Sequence, residues 1–363
     1  MRRPIAADPR RAGRYTARPV HHRSALAAIM WFKNLTVYRL SEPWSWSAAR
    51  LEEALSGRPL QPCSALQMRS LGWVSASPAD RLLHTVAGQQ LLALGIDQKL
   101  LPASVIRQQA EARARQQAQS QGFALGRRQM RALRMQVADE LRARALTRRS
   151  VTRAWIDTLQ GWLVVDTGSA ARAEELLETL RDTLGSLPVE AWDAQRPVSG
   201  CMAAWLTQSG PAGPFSIEQD LELQSADAAR ATIRYRRHAL DGRDVRAHLA
   251  AGKRPTQLGL TWRGRVSFVL TEKLQIRRLE FLELGPEQAG EDGQTDPIEQ
   301  FDIDFTVMAG ELSKLLAELG QELGEPRNDG QAGTVPGLRP ESAASPAPAG
   351  AASAAGANSP PAG

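Results

Sequence analysis

One basic segment, residues 103–155, limits what this chain can fold into, because its charge is concentrated and almost all of one sign. It carries twelve arginines against three acidic residues, whereas residues 156–226 carry three basic against eleven acidic residues. The sign reverses twice more, with ten basic against three acidic residues in 227–265 and five against fifteen in 272–329. Such segregation predicts a folded body that collects positive potential on one surface, which is typical of proteins that bind a polyanion.

The basic segment is predicted to form two helices, residues 104–119 and 127–145, joined as a hairpin at the glycine-containing stretch 121–126. At about 100° per residue, one arc of about 80° on the second helix holds Arg127, Arg131, Arg134 and Arg142, with Arg128 just beyond it. The neighbouring arc is apolar and holds Met130, Leu133, Val137 and Leu141. This helix therefore packs an apolar stripe against its partner and presents arginines outward, where guanidinium groups suit phosphate oxygens.

The alternative is that these arginines only solvate an exposed helix face. Such faces usually interleave Glu with Arg, because pairs four residues apart stabilise the helix, and here acidic residues are scarce. The scarcity of acids favours contact with nucleic acid.

The rest of the chain alternates between strand and helix patterns. Two apolar hairpins, each followed by a helix, are predicted around Ala87-Gly88 and Gln160-Gly161, and three alternating runs between residues 258 and 282 predict an antiparallel meander. The remaining elements are a first strand over 31–40 and helices over 47–55, 169–185 and 306–323. The predicted class is α+β with mostly antiparallel strands.

The ends of the chain differ in composition from its body. Residues 1–29 contribute a net charge of +6, which equals that of the whole chain, and we expect translation to begin at Met30 or this leader to be disordered. The Ala/Gly/Pro/Ser-rich end lacks the apolar groups that ordering requires. The predicted organisation is a leader, 1–29; a central α+β body, 30–102 and 153–226; a basic helical projection, 103–152; a second α+β domain, 227–324; and a disordered tail, 325–363.

A second basic candidate is Ile233–His238, with Lys253 downstream. On a strand, Arg234 and Arg236 point to one side. The alternative is an edge strand that charge protects from aggregation. Neither basic region has a recognition-helix, zinc-finger or base-stacking pattern, so binding to the nucleic-acid backbone without sequence preference is expected.

Catalytic patterns are weak. The five histidines have no metal-ligand spacing, and Gly252-Lys253 fails as a phosphate loop because Arg254 follows. Asp302 and Asp304 would place two carboxylates on one face of a strand and could hold Mg²⁺ in a nuclease, although acids are also expected just before a helix. A third possibility is a scaffold whose basic helix meets an acidic protein.

Compartment signals are few. Cys63 and Cys201 are isolated, which favours buried structural thiols and a reducing cytoplasm, and no apolar run approaches the ~20 residues that span a bilayer.

Short motifs along the chain resemble landmarks of the RdgC family of recombination-associated proteins. They stand in register from Met30 to about residue 324. They are Met30–Leu35 with Val37–Leu40, Pro62-Cys63, Gly72–Val74, Leu101-Pro102, Ala154–Asp157, Gly185–Val189, Ala250–Lys253, and Phe301–Phe305 with Met308–Leu312.

The resemblance implies two horseshoe-shaped subunits that close into a ring dimer with a positive hole for duplex DNA. It implies sequence-independent binding to double-stranded DNA and also to single-stranded DNA, restraint of the RecA recombinase, no cofactor, no enzymatic activity and a place at the cytoplasmic nucleoid. The expected DNA-binding residues are Arg127, Arg128, Arg131, Arg134, Arg142, Arg148 and Arg149, with Arg236, Arg237 and Lys253 secondary.

The same resemblance implies two contacts between subunits. The family has a Phe at the end of the basic projection that packs across one dimer interface, and Leu146 stands at that place here. The other interface resembles Arg236-Arg237-His238, where the family carries Lys-Lys-Gln.

Overall fold

Antiparallel strands with alternating apolar side chains form the frame of the protein. A computed structural model describes residues 31–208, 210–211, 213–240, 242–282 and 296–325, so the predicted leader and nearly all of the predicted tail lie outside the described residues. The described residues all belong to one compact unit, residues 1–327.

One sheet contains all twelve described strands, in the order β2-β4-β5-β6-β1-β12-β11-β10-β8-β9, with β3 beside β4 and β7 beside β1. The strands are β1 Leu35–Leu40, β2 Arg69–Val74, β3 Leu83–Val86, β4 Gln89–Lys99, β5 Thr147–Asp157, β6 Trp162–Asp166, β7 Val189–Ala191, β8 Phe215–Gln224, β9 Thr232–Tyr235, β10 Arg254–Trp262, β11 Val266–Thr271 and β12 Ile276–Phe281. The helices are α1 Ala48–Ser56, α2 Ala103–Gln121, α3 Arg127–Arg144, α4 Ala170–Leu184, α5 Val198–Thr207, α6 Arg243–Ala250 and α7 Pro297–Glu322.

The central strands are apolar on both faces because helices cover both sides of the sheet. On β4, Leu92 and Leu94 join one buried cluster, whereas Leu91 and Ala93 join the other. Helices α1 and α4 complete the first cluster, and α5 and α7 complete the second. Because neighbouring residues of a strand point to opposite faces, this arrangement requires the nearly continuous apolar runs of the sequence.

The predicted α+β class, both hairpins and the meander β10-β11-β12 are confirmed. The first strand is shorter than predicted. It begins only at Leu35, because the backbone N–H groups of Lys33 and Asn34 donate to the side chain of Asp166, at 3.0 and 3.1 Å, and not to a backbone carbonyl of a neighbouring strand.

The last helix is longer than predicted and begins at Pro297, not near residue 306. The side chain of Asp296 accepts a hydrogen bond from the backbone N–H of Ile298, and Pro297 occupies the first turn. Both features are helix-start signals in the sequence. The strand proposed for Asp302 and Asp304 was therefore wrong, since both residues lie inside α7.

The strands of the two predicted α+β domains meet in the same sheet, where Leu35 of β1 pairs with Ile276 of β12. A division of residues 30–324 into two domains stays a prediction. Among the described residues, no helix combines the length and the apolar character needed to cross a membrane.

Candidate nucleic-acid interface

Helices α2 and α3 form a hairpin inserted between the adjacent strands β4 and β5. Gly122 ends α2 with φ 80°, a left-handed conformation that glycine adopts without strain, and its N–H donates to the Ala118 carbonyl at 2.9 Å. At the start of α3, the Gln129 side chain accepts from the Gly126 N–H, also at 2.9 Å. The predicted helical hairpin is confirmed, and we call it the projection.

The projection has its own small core, separate from the two clusters of the body. Ala110 and Ala114 of α2 are buried against Leu133 and Val137 of α3. Small alanine side chains let the helix axes approach closely, so few apolar residues suffice to hold the pair together. The predicted apolar stripe of α3 therefore faces α2, and the arginine arc is left to solvent.

Two of the three acidic residues of the basic segment are already paired. Glu140 binds Arg113 of the facing helix at 2.7 Å, and this hydrogen bond lowers the pKa of Glu140. Asp139 binds Arg142 at 3.0 Å on the same helix. Neither carboxylate is therefore available to neutralise the rest of the arginine arc.

Four arginines in or beside the arginine arc of α3 are exposed and have no carboxylate within ion-pair distance among the described residues. They are Arg127, Arg128, Arg131 and Arg134. Their charges share one side of a helix that is held away from the body, so a phosphate backbone can approach them without displacing an internal partner.

The two arginines at the base of the projection differ. Arg148 is exposed, with no ion-pair partner among the described residues. Arg149 lies opposite Asp97 in the β4-β5 register and donates to both of its carboxylate oxygens at 2.8 Å. Among the predicted DNA-binding residues, Arg142 and Arg149 are therefore the two whose guanidinium groups already bind a carboxylate of the protein itself.

Leu146 lies where α3 gives way to β5, at the base of the projection, and its carbonyl accepts from the Leu100 N–H at 2.8 Å. It is 79% exposed. The apolar residue at the tip is Phe123, which is 61% exposed and which the sequence reasoning did not single out. Its position beside a chain-reversing glycine in the hairpin loop was the available signal.

The second basic region begins within β9, which forms the edge of the sheet, as the alternative prediction had it. Arg234 pairs with Glu222 at 2.5 Å, whereas Arg236 and Arg237 are exposed. Arg237 has φ 51°, and its N–H donates to Asp220. The remaining candidates of this region are exposed His238, whose Nδ1 lies 2.7 Å from the Ala239 carbonyl, and Lys253, whose Nζ lies 3.3 Å from His248 Nδ1.

The carboxylates suggested for a metal site do not converge. Positions two apart on a helix are about 200° apart around its axis. Asp304 accepts from Gln300 at 2.9 Å, and burial raises its pKa, whereas Asp302 lies 3.4 Å from His84 Nε2. The described part of the chain contains no cluster of three or more His, Cys, Asp or Glu able to hold a metal ion.

Of the two cysteines, Cys201 is buried as predicted, and Cys63 is half-buried.

Comparison with known proteins gives one consistent answer. Residues 30–326 match the family model described as "Putative exonuclease, RdgC". The recombination-associated protein RdgC of Cupriavidus necator is 44% identical over 299 residues, which cover 82% of this chain and 99% of the relative. Proteins of the same name from Dechloromonas aromatica and Bordetella parapertussis are each 43% identical, over 81% of this chain and 98% of each relative. The chain belongs to the RdgC family.

Proposed function

We propose that the protein binds DNA without sequence preference, chiefly through the arginine face of α3. The observation that carries this proposal is the set of four exposed arginines without internal partners on a projecting helix. Phosphate oxygens accept charge-assisted hydrogen bonds from guanidinium groups, and the release of counterions from the duplex drives binding. Arg148 would add a further exposed arginine at the base of the projection, whereas Arg142 and Arg149 would contribute less because each already holds a carboxylate.

We further propose that two horseshoe-shaped subunits form a ring around duplex DNA and thereby restrain recombination by RecA. The relatives are named recombination-associated proteins, which supports this role. Exposed apolar side chains at the tip and the base of the projection, Phe123 and Leu146, suit a contact with a second copy. The exposed Arg237 and His238 suit the other interface. A nucleoid location follows from the proposed binding to double-stranded DNA, and single-stranded DNA is a further proposed partner.

The experiment compares the salt dependence of duplex binding in wild type, in an Arg127→Gln/Arg131→Gln/Arg134→Gln variant and in a matched control. The control, Arg172→Gln/Arg181→Gln/Arg246→Gln, removes the same charge from exposed helix positions of the body. Each phosphate contact contributes about −0.9 to the slope of log K against log salt. The slope of the first variant should therefore be about 2.7 less steep than that of wild type, and the slope of the control should match wild type.

Equal losses in both variants would overturn the assignment to α3 and leave only a general effect of net charge. No gel shift at physiological salt would reject DNA binding and favour a scaffold that meets an acidic protein. Retention on nicked circular DNA, with loss from linear DNA, tests enclosure in a ring, and equal retention on both would contradict it.

A further inference from the structure

A charged cleft lies on the exposed face of the sheet formed by strands β8 to β12, outside the projection. Its volume is about 430 Å³, and its wall and floor come from strands β8 to β12 and from the residue before β1. The side chains used below are Asn34, Asp220, Glu222, Arg234, Arg236, Arg277 and Arg278. We infer that this cleft is a second binding site for backbone phosphate of DNA; the inference rests on the proposed function and adds a contact outside the projection.

The cleft has a surplus of positive charge. Four arginines and two carboxylates line it. Both carboxylates are held within the cleft, since Glu222 accepts from Arg234 at 2.5 Å and Asp220 accepts from Arg278 at 2.6 Å. Two guanidinium groups therefore remain to attract an anion.

Those two groups are Arg236 and Arg277. Arg236 is exposed, and Arg277 donates to the Gln275 side-chain oxygen at 2.7 Å. Neither has a carboxylate within ion-pair distance in the ranges that the structure describes. Because Arg277 is partly buried and fixed by Gln275, its orientation is set before a ligand arrives, which reduces the entropy lost on binding.

A β-bulge brings two consecutive arginines to the same cleft. In a regular strand, Arg277 and Arg278 would point to opposite faces of the sheet. The β11-β12 register shifts between Ser267 and Val269, and Arg278 adopts φ 52°, in the left-handed region. The Arg278 N–H then points to Asn34 Oδ1 at 3.4 Å. Bulges and strained non-glycine residues concentrate at functional sites, where they re-aim side chains.

Phosphate is the chemistry that fits these donors. Guanidinium groups bind its oxygens through paired N–H donors, and an open cleft lined mainly by charged side chains offers little to an apolar ligand. The cleft lies on an exposed sheet face, so the phosphate of a long polyanion can enter it without a closed cavity around the rest of the ligand.

The test uses an Arg236→Gln/Arg277→Gln variant, because neither residue takes part in the two ion pairs that hold the cleft together. Arg172→Gln/Arg181→Gln is the control of equal charge, and the midpoint of thermal unfolding checks that each variant is folded. The cleft variant should lose about 1.8 from the slope of log K against log salt, since each phosphate contact contributes about 0.9. The same loss is expected in the background of the α3 triple variant, because the two sites are separate.

A cleft variant that binds duplex DNA like its control would overturn the inference while leaving the proposed function intact. Failure of wild type to bind DNA would overturn both. Calorimetric titration of wild type and the cleft variant with inorganic phosphate distinguishes a site for free phosphate from a site for the phosphate groups of DNA. Phosphate binding that the cleft variant loses without any change in DNA affinity would assign the cleft to a free anion and reject the DNA contact.

Discussion

The carboxylate of Asp97 and the guanidinium of Arg149 face each other across strands β4 and β5 and are joined by two hydrogen bonds of 2.8 Å. Asp97 is buried, whereas Arg149 is largely exposed. The pair sits immediately below the projection, where it fixes the two strands from which the helices arise. Arg149 therefore stabilises the pairing of β4 and β5, whereas the sequence predicts only a phosphate contact for it.

Replacing Asp97 with Asn should lower the free energy of unfolding by about 1–3 kcal/mol near neutral pH, because a buried group then loses a charged partner. The hydrogen bond from Arg149 holds the pKa of Asp97 below its ordinary value of 3.8. The folded state thus binds the proton less readily than the unfolded chain. The stabilisation is complete above pH 3.8 and is lost as pH falls through the lowered pKa. The free energies of unfolding of wild type and Asp97→Asn, measured with urea between pH 7 and pH 3, test this pH dependence.

The difference between the two proteins should shrink at the acidic end of that range, and a constant difference would contradict the ion-pair explanation. Arg149→Gln should lower the free energy of unfolding by more than it weakens the free energy of DNA binding. Arg131→Gln should weaken DNA binding by more than it lowers the free energy of unfolding, since Arg131 has no internal partner among the described residues.

His84 should make stability depend on pH near neutrality. Its ring packs edge-on against Phe301 and Phe305 of α7, with ring centroids 4.9 and 5.1 Å away. Burial lowers the pKa of His84 from its ordinary value of 6.5, and the charge of Asp302 opposes this shift only in part. The unfolded chain therefore binds the proton more readily than the folded protein, so stability falls as pH drops below 6.5.

The measurement is the free energy of unfolding at pH 7.5 and pH 5.5 in wild type and in His84→Gln. The variant should show a smaller loss between the two pH values, because it lacks the titrating group at the contact between β3 and α7. An identical loss in both proteins would rule out His84 as its source.

Asp302 and Asp304 should not support Mg²⁺-dependent cleavage of DNA, although the family description includes the word exonuclease. The two side chains diverge around α7, and Asp304 is held by Gln300. End-labelled duplex incubated with Mg²⁺ should show the same pattern with wild type as with Asp302→Asn/Asp304→Asn. Cleavage that the double variant loses, and that a chelator also removes, would restore the nuclease hypothesis.

The sequence predicts local elements of this fold well where periodicity and caps agree. The projection is such a case, since Gly122 and Gly126 mark its loop and a full apolar stripe marks α3. The predicted start of α7 near residue 306 is wrong because Asp302 and Asp304 suggest acids that precede a helix, whereas Asp296 and Pro297 mark its actual start.

Features that depend on pairing between distant strands could not be predicted from the sequence. Asp97 and Arg149 are 52 residues apart, and only the β4-β5 register places them opposite each other. The cleft depends likewise on a bulge in β12, which is defined by its partner strand and leaves no local pattern around Arg277 and Arg278. The exposed arginines of α3 and the Asp139–Arg142 pair could be named from one helix alone, whereas Asp97 as the partner of Arg149 could not.

The β4-β5 ladder is unbroken from Gln89 opposite Asp157 to Lys99 opposite Thr147, and the whole projection is inserted beyond its last pair. Helices α2 and α3 can therefore gain or lose turns together while every strand keeps its neighbours. Four residues added to each helix would lengthen the arm by about 6 Å, at a rise of about 1.5 Å per residue. The reach of the protein can thus evolve separately from the sheet that carries it.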